Sequence, residues 1–154
     1  ETQSFNIFEL IQDSIQSKKS NAELNQLTFC LTSNDEQATL IANKNLTIIA
    51  INNLIDNALD FAYPNSSIKI DIKIKPTSTN IVITNNGNLI PDFAKEKLFD
   101  RFYSLPRPKT KLKSTGLGLS FVRQIMELHQ GIILLSNLNK NEKTYVIASM
   151  IFAK

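Results

Sequence analysis

Residues 48–61 constrain the fold more than any other stretch of this chain of 154 residues. Their apolar side chains recur at helical spacing and fill one broad face of a helix. The remaining face is a narrow polar stripe with the spacing i, i+3, i+4, i+7, which consists of Asn53, Asp56, Asn57 and Asp60. Asparagine and aspartate are mediocre helix formers, but their oxygen atoms suit a hard cation such as Mg²⁺. The stripe therefore indicates either a cation site or a solvated face that is rich in asparagine.

The composition predicts one globular domain that is large enough for a hydrophobic core. A net charge of only +3 favours a local anion site over a broad nucleic-acid footprint. Cys30 is the only cysteine, so no internal disulfide can form, and we expect its thiol to be buried and inert. No apolar run reaches membrane-spanning length and no signal peptide is recognisable, so we expect no membrane insertion.

Periodicity elsewhere in the chain predicts a mixture of helices and strands, and we expect residues 1–4 to be a linker or domain edge. Asn6 and Glu9 resemble a capping box that opens a first helix, which we expect to run to about Ser17. A short helix is predicted at residues 93–98, and residues 116–118 are predicted to open a long helix. The predicted strands cover residues 26–31, 38–41, 67–75, 80–84, 132–135 and 144–152. Residues 85–88 are predicted to form a turn at a strand end, where binding residues often lie.

A proline-containing basic loop precedes the last helix. Residues 103–115 have no periodicity, and they contain four cations without an acid: Arg107, Lys109, Lys111 and Lys113. Structureless loops of this length inside a domain are usually lids or binding loops. Gly116 and Gly118 then open a helix, whose free N–H groups favour an anion. The polar stripe, the glycine pair and the basic loop are three complementary parts of one nucleotide site.

Four motifs resemble those of bacterial sensor histidine kinases, possibly of the CreC type. Residues 53–58 (NLIDNA) look like the N box, residues 83–91 (ITNNGNLIP) lie where the G1 box belongs, residues 98–103 (LFDRFY) resemble the F box, and residues 114–120 (STGLGLS) resemble the G2 box. The run RFYSLPRP at residues 101–108 is especially similar to CreC-type kinases. The resemblance covers nearly the whole chain, and the motifs stand in the expected order.

The resemblance implies that residues 5–154 form the catalytic ATP-binding domain of such a kinase. The implied Bergerat fold is of the α+β class, a two-layer α/β sandwich in which three helices cover one face of a mixed, mostly antiparallel sheet. The implied activity is binding of Mg·ATP and transfer of its γ-phosphate to a histidine on a separate helical dimerisation and phosphoacceptor domain, which we expect this chain to lack. A response regulator is the other implied partner, and no nucleic acid is. The implied location is a cytoplasmic domain of an inner-membrane sensor protein.

The resemblance also implies roles for individual residues. Asn57 would bind Mg²⁺, Asn53 would help to orient phosphate or water, and Phe61 would border the adenine. Asn85 and Gly87 would belong to the base-binding G1 box, while Phe99 and Phe102 would be packing anchors of the lid. The groups expected to hold or neutralise the phosphates are Arg101, Lys109, Lys111, Lys113, Gly116, Leu117 and Gly118, and Arg101 joins Asn53 as a candidate catalytic residue.

Three departures from the family pattern leave other interpretations open. Asn85 stands where the family carries an aspartate that accepts a hydrogen bond from adenine, and a neutral amide accepts less strongly. Leu89 replaces a glycine, and Asp60 stands where many relatives carry a basic residue. A weakened site in a docking and signalling module is therefore an alternative, as is altered base choice. An ATP-driven clamp is disfavoured, and we expect His129, at a helix end, to be structural.

Overall fold

The sheet and its covering helices are described for residues 1–108 and 117–154 of this computed structural model. The strands are β1 (Gln3–Asn6), β2 (Leu27–Ser33), β3 (Thr39–Ala42), β4 (Ser66–Ile74), β5 (Ser78–Asn86), β6 (Ile132–Lys140) and β7 (Lys143–Ala153). The helices are α1 (Ile7–Leu24), α2 (Lys44–Phe61) and α3 (Gly118–Leu128), and two 3₁₀ turns lie at Asp92–Ala94 and Lys97–Phe99.

Five strands form one sheet in the order β2-β4-β5-β7-β6, while β1 and β3 form a separate two-stranded ribbon. The β2–β4 pair is parallel and the other pairs of the large sheet are antiparallel. Buried side chains of all three helices share one core with the inward-facing strand residues. The predicted α+β sandwich with a mixed, mostly antiparallel sheet is confirmed.

Strand β4 illustrates why the sheet has only one covered face. Ile68, Ile70 and Ile72 are fully buried, whereas Lys69 and Lys73 between them are exposed. Successive side chains of a strand point to opposite faces, so this alternation directs every isoleucine toward the helices. Burying each such side chain contributes about 1.5–3 kcal/mol, which fixes the register of the strand against slippage.

Helix α2 lies across the covered face, with its apolar side buried and its polar stripe at the rim. The side chain of Asn43 caps the helix by accepting the backbone N–H of Leu46 at 3.0 Å. The backbone N–H of Asn43 itself donates to Nε2 of His129 at 3.0 Å, and the His129 ring packs edge-on against Phe152. His129 therefore joins the end of α3 to the start of α2, in agreement with its expected structural role.

Several element boundaries differ from the sequence predictions. Helix α1 continues to Leu24 rather than ending near Ser17, because Ala22 is buried and Lys18 forms an ion pair with Asp56 of α2 at 2.8 Å. Residues 3 and 4, expected in a linker, belong to β1 and pair with β3. The short helix at residues 93–98 is a pair of 3₁₀ turns. Asn85 and Asn86, expected in a turn, extend β5 because both pair with β7.

Two expectations about burial are wrong. Cys30 is exposed, because the alternation of β2 turns Leu27 inward and Cys30 outward. Phe99 packs against the core and lies under the guanidinium of Arg123, as expected of an anchor. Phe102, in contrast, is 75% exposed and adopts a φ of 64°, so it anchors nothing in the described part of the domain.

Within residues 1–108 and 117–154, no helix combines the length and the apolar character that crossing a membrane would require.

Candidate functional site

A polar cavity of about 200 Å³ lies between the stripe of α2 and the start of α3. Asn53, Asp56, Asn57 and Asp60 all line it, together with Gly118. The cavity therefore brings together the two sequence features that were expected to share a site. Its other walls come from the segment after the second 3₁₀ turn, including Tyr103, Ser104, Leu105 and Arg107.

A second cavity, of about 210 Å³, adjoins the first and is mainly apolar. The two share Asn57 and Phe61 of α2, and the side chains of Leu98, Leu105 and Leu119 also border both. We call the combined space the cleft. The apolar half is further lined by Asn85, Asn88, Leu89, Ile90, Pro91, Pro106, Pro108, Leu135 and Val146. A narrow apolar slot beside a polar chamber is the form that small-molecule sites commonly take.

Asn85 lies in the wall of the apolar half. It is only 5% exposed, and its Nδ2 atom has no hydrogen-bond partner among the described residues. Buried polar groups in native proteins almost always have partners, so an orphaned amide donor in a residue that lines a cavity indicates that a ligand or water supplies the missing partner.

Gly87 does not line the cleft, but it permits the close approach of β5 to the end of α2. A Cβ atom at this position would lie 2.5 Å from the backbone oxygen of Phe61 and 2.9 Å from Nδ2 of Asn85. The Gly87 backbone is held on its other side by Thr144, whose oxygen accepts the Gly87 N–H at 3.1 Å and whose hydroxyl donates to the Gly87 oxygen at 2.5 Å.

The arginine at the cleft is Arg107 rather than Arg101. Nε of Arg107 lies 3.1 Å from Oδ2 of Asp60, which is close enough for an ion pair although it is not aligned as a hydrogen bond. Arg101 is exposed and is absent from the lining of both halves of the cleft. The physical reason lies in the backbone, which turns back at Phe102 with a positive φ after the inward-facing Leu98.

Asn137 is a site residue that sequence reasoning missed. Its Oδ1 accepts the backbone N–H of Ile90 at 2.9 Å, and its Nδ2 donates to the Ile90 oxygen at 2.8 Å. These two bonds hold the segment that forms the outer wall of the apolar half. No motif contains Asn137, and a single asparagine in a strand gives no signal of such a distant pairing.

Other predicted site residues are distributed as follows. Leu117 precedes α3 as its N-cap residue and contributes no side-chain cap. Leu89, which replaces a glycine of the family pattern, lines the apolar half. Lys109, Lys111, Lys113 and Gly116 lie outside the described residues.

The oxygen atoms on α2 fit a magnesium ion that takes few of its ligands from the protein. Within the described residues, no three histidine, cysteine or carboxylate side chains converge on a metal position. Asp56 is paired with Lys18 and Asp60 with Arg107. The amide oxygen of Asn57, which borders both halves of the cleft, suits an ion that takes one protein ligand and completes its shell with phosphate and water.

Comparison with known proteins gives a family assignment that agrees with the geometry of the cleft. Residues 43–151 match the sequence model of the family described as "Histidine kinase-, DNA gyrase B-, and HSP90-like ATPase". Similar proteins include the sensor protein CreC of Escherichia coli K12, 37% identical over 59% of this chain and 19% of its own length. The heme sensor protein HssS of Staphylococcus haemolyticus is 31% identical over 90% of this chain and 29% of its own length. The chain thus spans less than a third of these relatives.

Solved structures extend the likeness to the whole chain. The nucleotide-free catalytic domain of the histidine kinase ThkA superposes with a TM-score of 0.83 at 28% identity, covering 98% of this chain and 97% of that one. The matched family segment contains α2, α3 and the segments between them, which carry the cleft. This chain belongs to the family of histidine kinase-, DNA gyrase B- and HSP90-like ATPases, with the fold of a sensor histidine kinase catalytic domain.

Proposed function

We propose that this domain binds Mg·ATP in the cleft and transfers the γ-phosphate to a histidine of a separate helical domain. The observation that carries the proposal is that Asn57, Gly118 and Arg107 all line one polar cavity that continues into an apolar slot. A triphosphate needs a cation ligand, N–H donors and a positive charge, and these three residues provide one of each.

The phosphates would lie at the start of α3. Its N-cap residue, Leu117, supplies no side-chain hydrogen bond, so the first-turn N–H groups lack that partner. The free N–H groups and the dipole at a helix N-terminus favour an anion. Gly118 has no side chain between these donors and the polar cavity, and Arg107 adds a cation to the lining of the same cavity.

The purine would occupy the apolar half, with Phe61 at the junction of the two halves and Asn85 at the base edge. Leucine, isoleucine and valine side chains there offer flat apolar contact to a heteroaromatic ring. Asn57, which borders both halves, would hold Mg²⁺ through its amide oxygen, and Asn53 would orient a phosphate oxygen or water.

Phosphoryl transfer asks a protein mainly for positioning and charge neutralisation. The bond between the γ-phosphorus and the oxygen bridging it to ADP breaks, a bond from phosphorus to a histidine nitrogen of the partner forms, and that imidazole loses its proton. The ion at Asn57 would supply neutralisation of the phosphate charge. The residues of this chain would hold the triphosphate in line, while the nucleophile comes from the partner.

A docking module without nucleotide binding is the second candidate, and Leu89 and Asn85 favour it. Leu89 puts bulk into the slot, and Asn85 is a weaker acceptor than a carboxylate. Calorimetric titration with Mg·ATP separates the candidates. Binding at micromolar concentration by the unaltered chain supports the kinase, whereas no detectable binding that Asn85→Asp restores supports the docking module.

The partners follow from the same proposal. ThkA has been solved in complex with the response regulator TrrA, and this chain superposes on that ThkA with a TM-score of 0.78 at 26% identity. We therefore infer that this domain serves a helical phosphoacceptor domain of the same protein and a response regulator. As part of a longer sensor protein, it would act on the cytoplasmic side of the membrane. Mixing the domain with a candidate helical domain and labelled Mg·ATP tests this directly, since label should move to the helical domain only.

A further inference from the structure

The apolar half of the cleft contains only one polar side chain that is both deeply buried and without a partner among the described residues. Asn85 is only 5% exposed, and its Nδ2 donor has no hydrogen-bond partner there. Asn57 borders the polar half as well, and Asn88 is engaged by the hydroxyl of Tyr63. Asn85 is therefore the group that would meet the polar edge of a purine in this slot.

The backbone of Asn85 is fixed, which leaves rotation of its amide as the way to suit a ligand. Its backbone belongs to β5 and pairs with Val146 of β7. Gly87 lies directly beside the amide, where a Cβ atom would come within 2.9 Å of Nδ2. Leaving a buried N–H without an acceptor costs free energy, because the group loses its hydrogen bond to water and gains none in the protein. A ligand that supplies the hydrogen-bond partner that the Asn85 amide lacks would recover that free energy, so binding depends on the groups at the edge of the base.

An amide and a carboxylate read a purine differently. An ionised carboxylate can only accept hydrogen bonds, whereas an amide presents an acceptor and two donors side by side. Adenine offers a 6-amino donor next to the N1 acceptor, and hypoxanthine offers a 6-carbonyl acceptor next to an N1–H donor. A half-turn of the amide about its last side-chain bond exchanges oxygen and nitrogen, so Asn85 can pair with either edge.

We propose that Asn85 makes this nucleotide site accept both 6-amino and 6-oxo purine triphosphates. The proposal rests on the nucleotide-binding function proposed above and adds its base specificity. A carboxylate at this position would repel a 6-carbonyl oxygen, and sites built to hydrogen-bond one group reject the analogue that lacks it strongly. The amide removes that rejection.

The test is a calorimetric comparison of Mg·ATP and Mg·ITP on the unaltered chain and on Asn85→Asp. ITP differs from ATP only at the purine edge that Asn85 would contact. For the unaltered chain we expect the two dissociation constants to agree within about threefold, and in N85D we expect the preference for ATP to rise by about tenfold or more. A rise of less than about fivefold would overturn the proposal.

A second measurement needs only the unaltered chain, in case N85D does not fold. Purine riboside triphosphate carries hydrogen at position 6 and can neither donate nor accept there. It should bind about fivefold or more weakly than both ATP and ITP, because Asn85 then lacks its partner at position 6. Equal binding of purine riboside triphosphate and ITP would contradict the inference. If the unaltered chain binds ATP and rejects ITP, only this inference about base specificity is contradicted. If no nucleotide binds, the proposed function itself is contradicted.

Discussion

A Cβ atom built on Gly118 would lie 3.8 Å from Cγ of Asn53, so the first residue of α3 faces the polar stripe of α2 at van der Waals distance. The two residues are far apart in the chain and belong to different predicted motifs. Their proximity joins, in a single chamber, the helix face that we propose for the cation and the helix start that we propose for the phosphates. The account of nucleotide binding depends on this proximity.

Alanine should destabilise the domain at Gly87 but have little effect on its stability at Gly118. In Gly87→Ala the new methyl group meets the backbone oxygen of Phe61 at 2.5 Å, which should cost about 1–3 kcal/mol of stability because backbone must shift. In Gly118→Ala it meets only Asn53 at 3.8 Å, so the free energy of unfolding should change by less than about 1 kcal/mol. Urea denaturation measures both, and equal stabilities would contradict the packing described for Gly87.

Arg107→Ala should weaken Mg·ATP binding by about tenfold, because a charged partner of the phosphates is lost. Arg101→Ala is the matched control, since this arginine lies in the same segment but outside the cleft. We expect the control to change the dissociation constant by less than about twofold in calorimetry. A larger loss in the Arg101 variant would return the role to the arginine that the family resemblance singles out.

Asn137→Ala should destabilise the outer wall of the apolar slot. It removes both hydrogen bonds to the Ile90 backbone, and an unpaired buried polar group costs about 1–3 kcal/mol. Stability should fall by that amount and ATP affinity by several-fold. Asn139→Ala, on the same strand at an exposed position, should leave both quantities unchanged. Equal stability and equal ATP affinity of the two variants would show that the hydrogen bonds between Asn137 and Ile90 have no consequence for either quantity.

His129 should matter for stability and not for phosphate acceptance. In His129→Ala the backbone N–H of Asn43 loses its acceptor, which should cost about 1–2 kcal/mol in chemical denaturation. The unaltered chain, incubated alone with γ-labelled Mg·ATP, should acquire no phosphohistidine. Labelling that disappears in the alanine variant would make His129 an acceptor and contradict its structural assignment.

The parts of the domain that follow from local periodicity were predictable from sequence. The alternation at residues 67–75 predicts β4, because side chains of a strand repeat with a period of two. The apolar face of residues 48–61 predicts α2, because side chains of a helix repeat with a period of about 3.6. The motif order then predicts that Asn53, Asn57 and Gly118 share a site, and the structure brings all three to one cavity.

What escaped prediction depends on tertiary contacts. The extra turns of α1 come from burial of Ala22 and the ion pair of Lys18 with Asp56, which no local pattern reveals. Arg107 lines the cleft and Arg101 does not, and this difference depends on a positive φ at Phe102. Sequence rarely signals that conformation for an aromatic residue. The hydrogen bonds of Asn137 to Ile90 join positions that are remote in sequence.

The most direct measurement is a calorimetric titration of ATP with and without Mg²⁺ on the unaltered chain, Asn57→Ala and Asn45→Ala. Asn45 is an exposed asparagine on the same helix, outside the cleft, and serves as the matched control. The unaltered chain and N45A should gain about tenfold or more in affinity for ATP from Mg²⁺. Folded N57A should gain almost nothing, because it lacks the amide oxygen that we propose holds the ion. A folded N57A that keeps the full gain from Mg²⁺ would contradict the account.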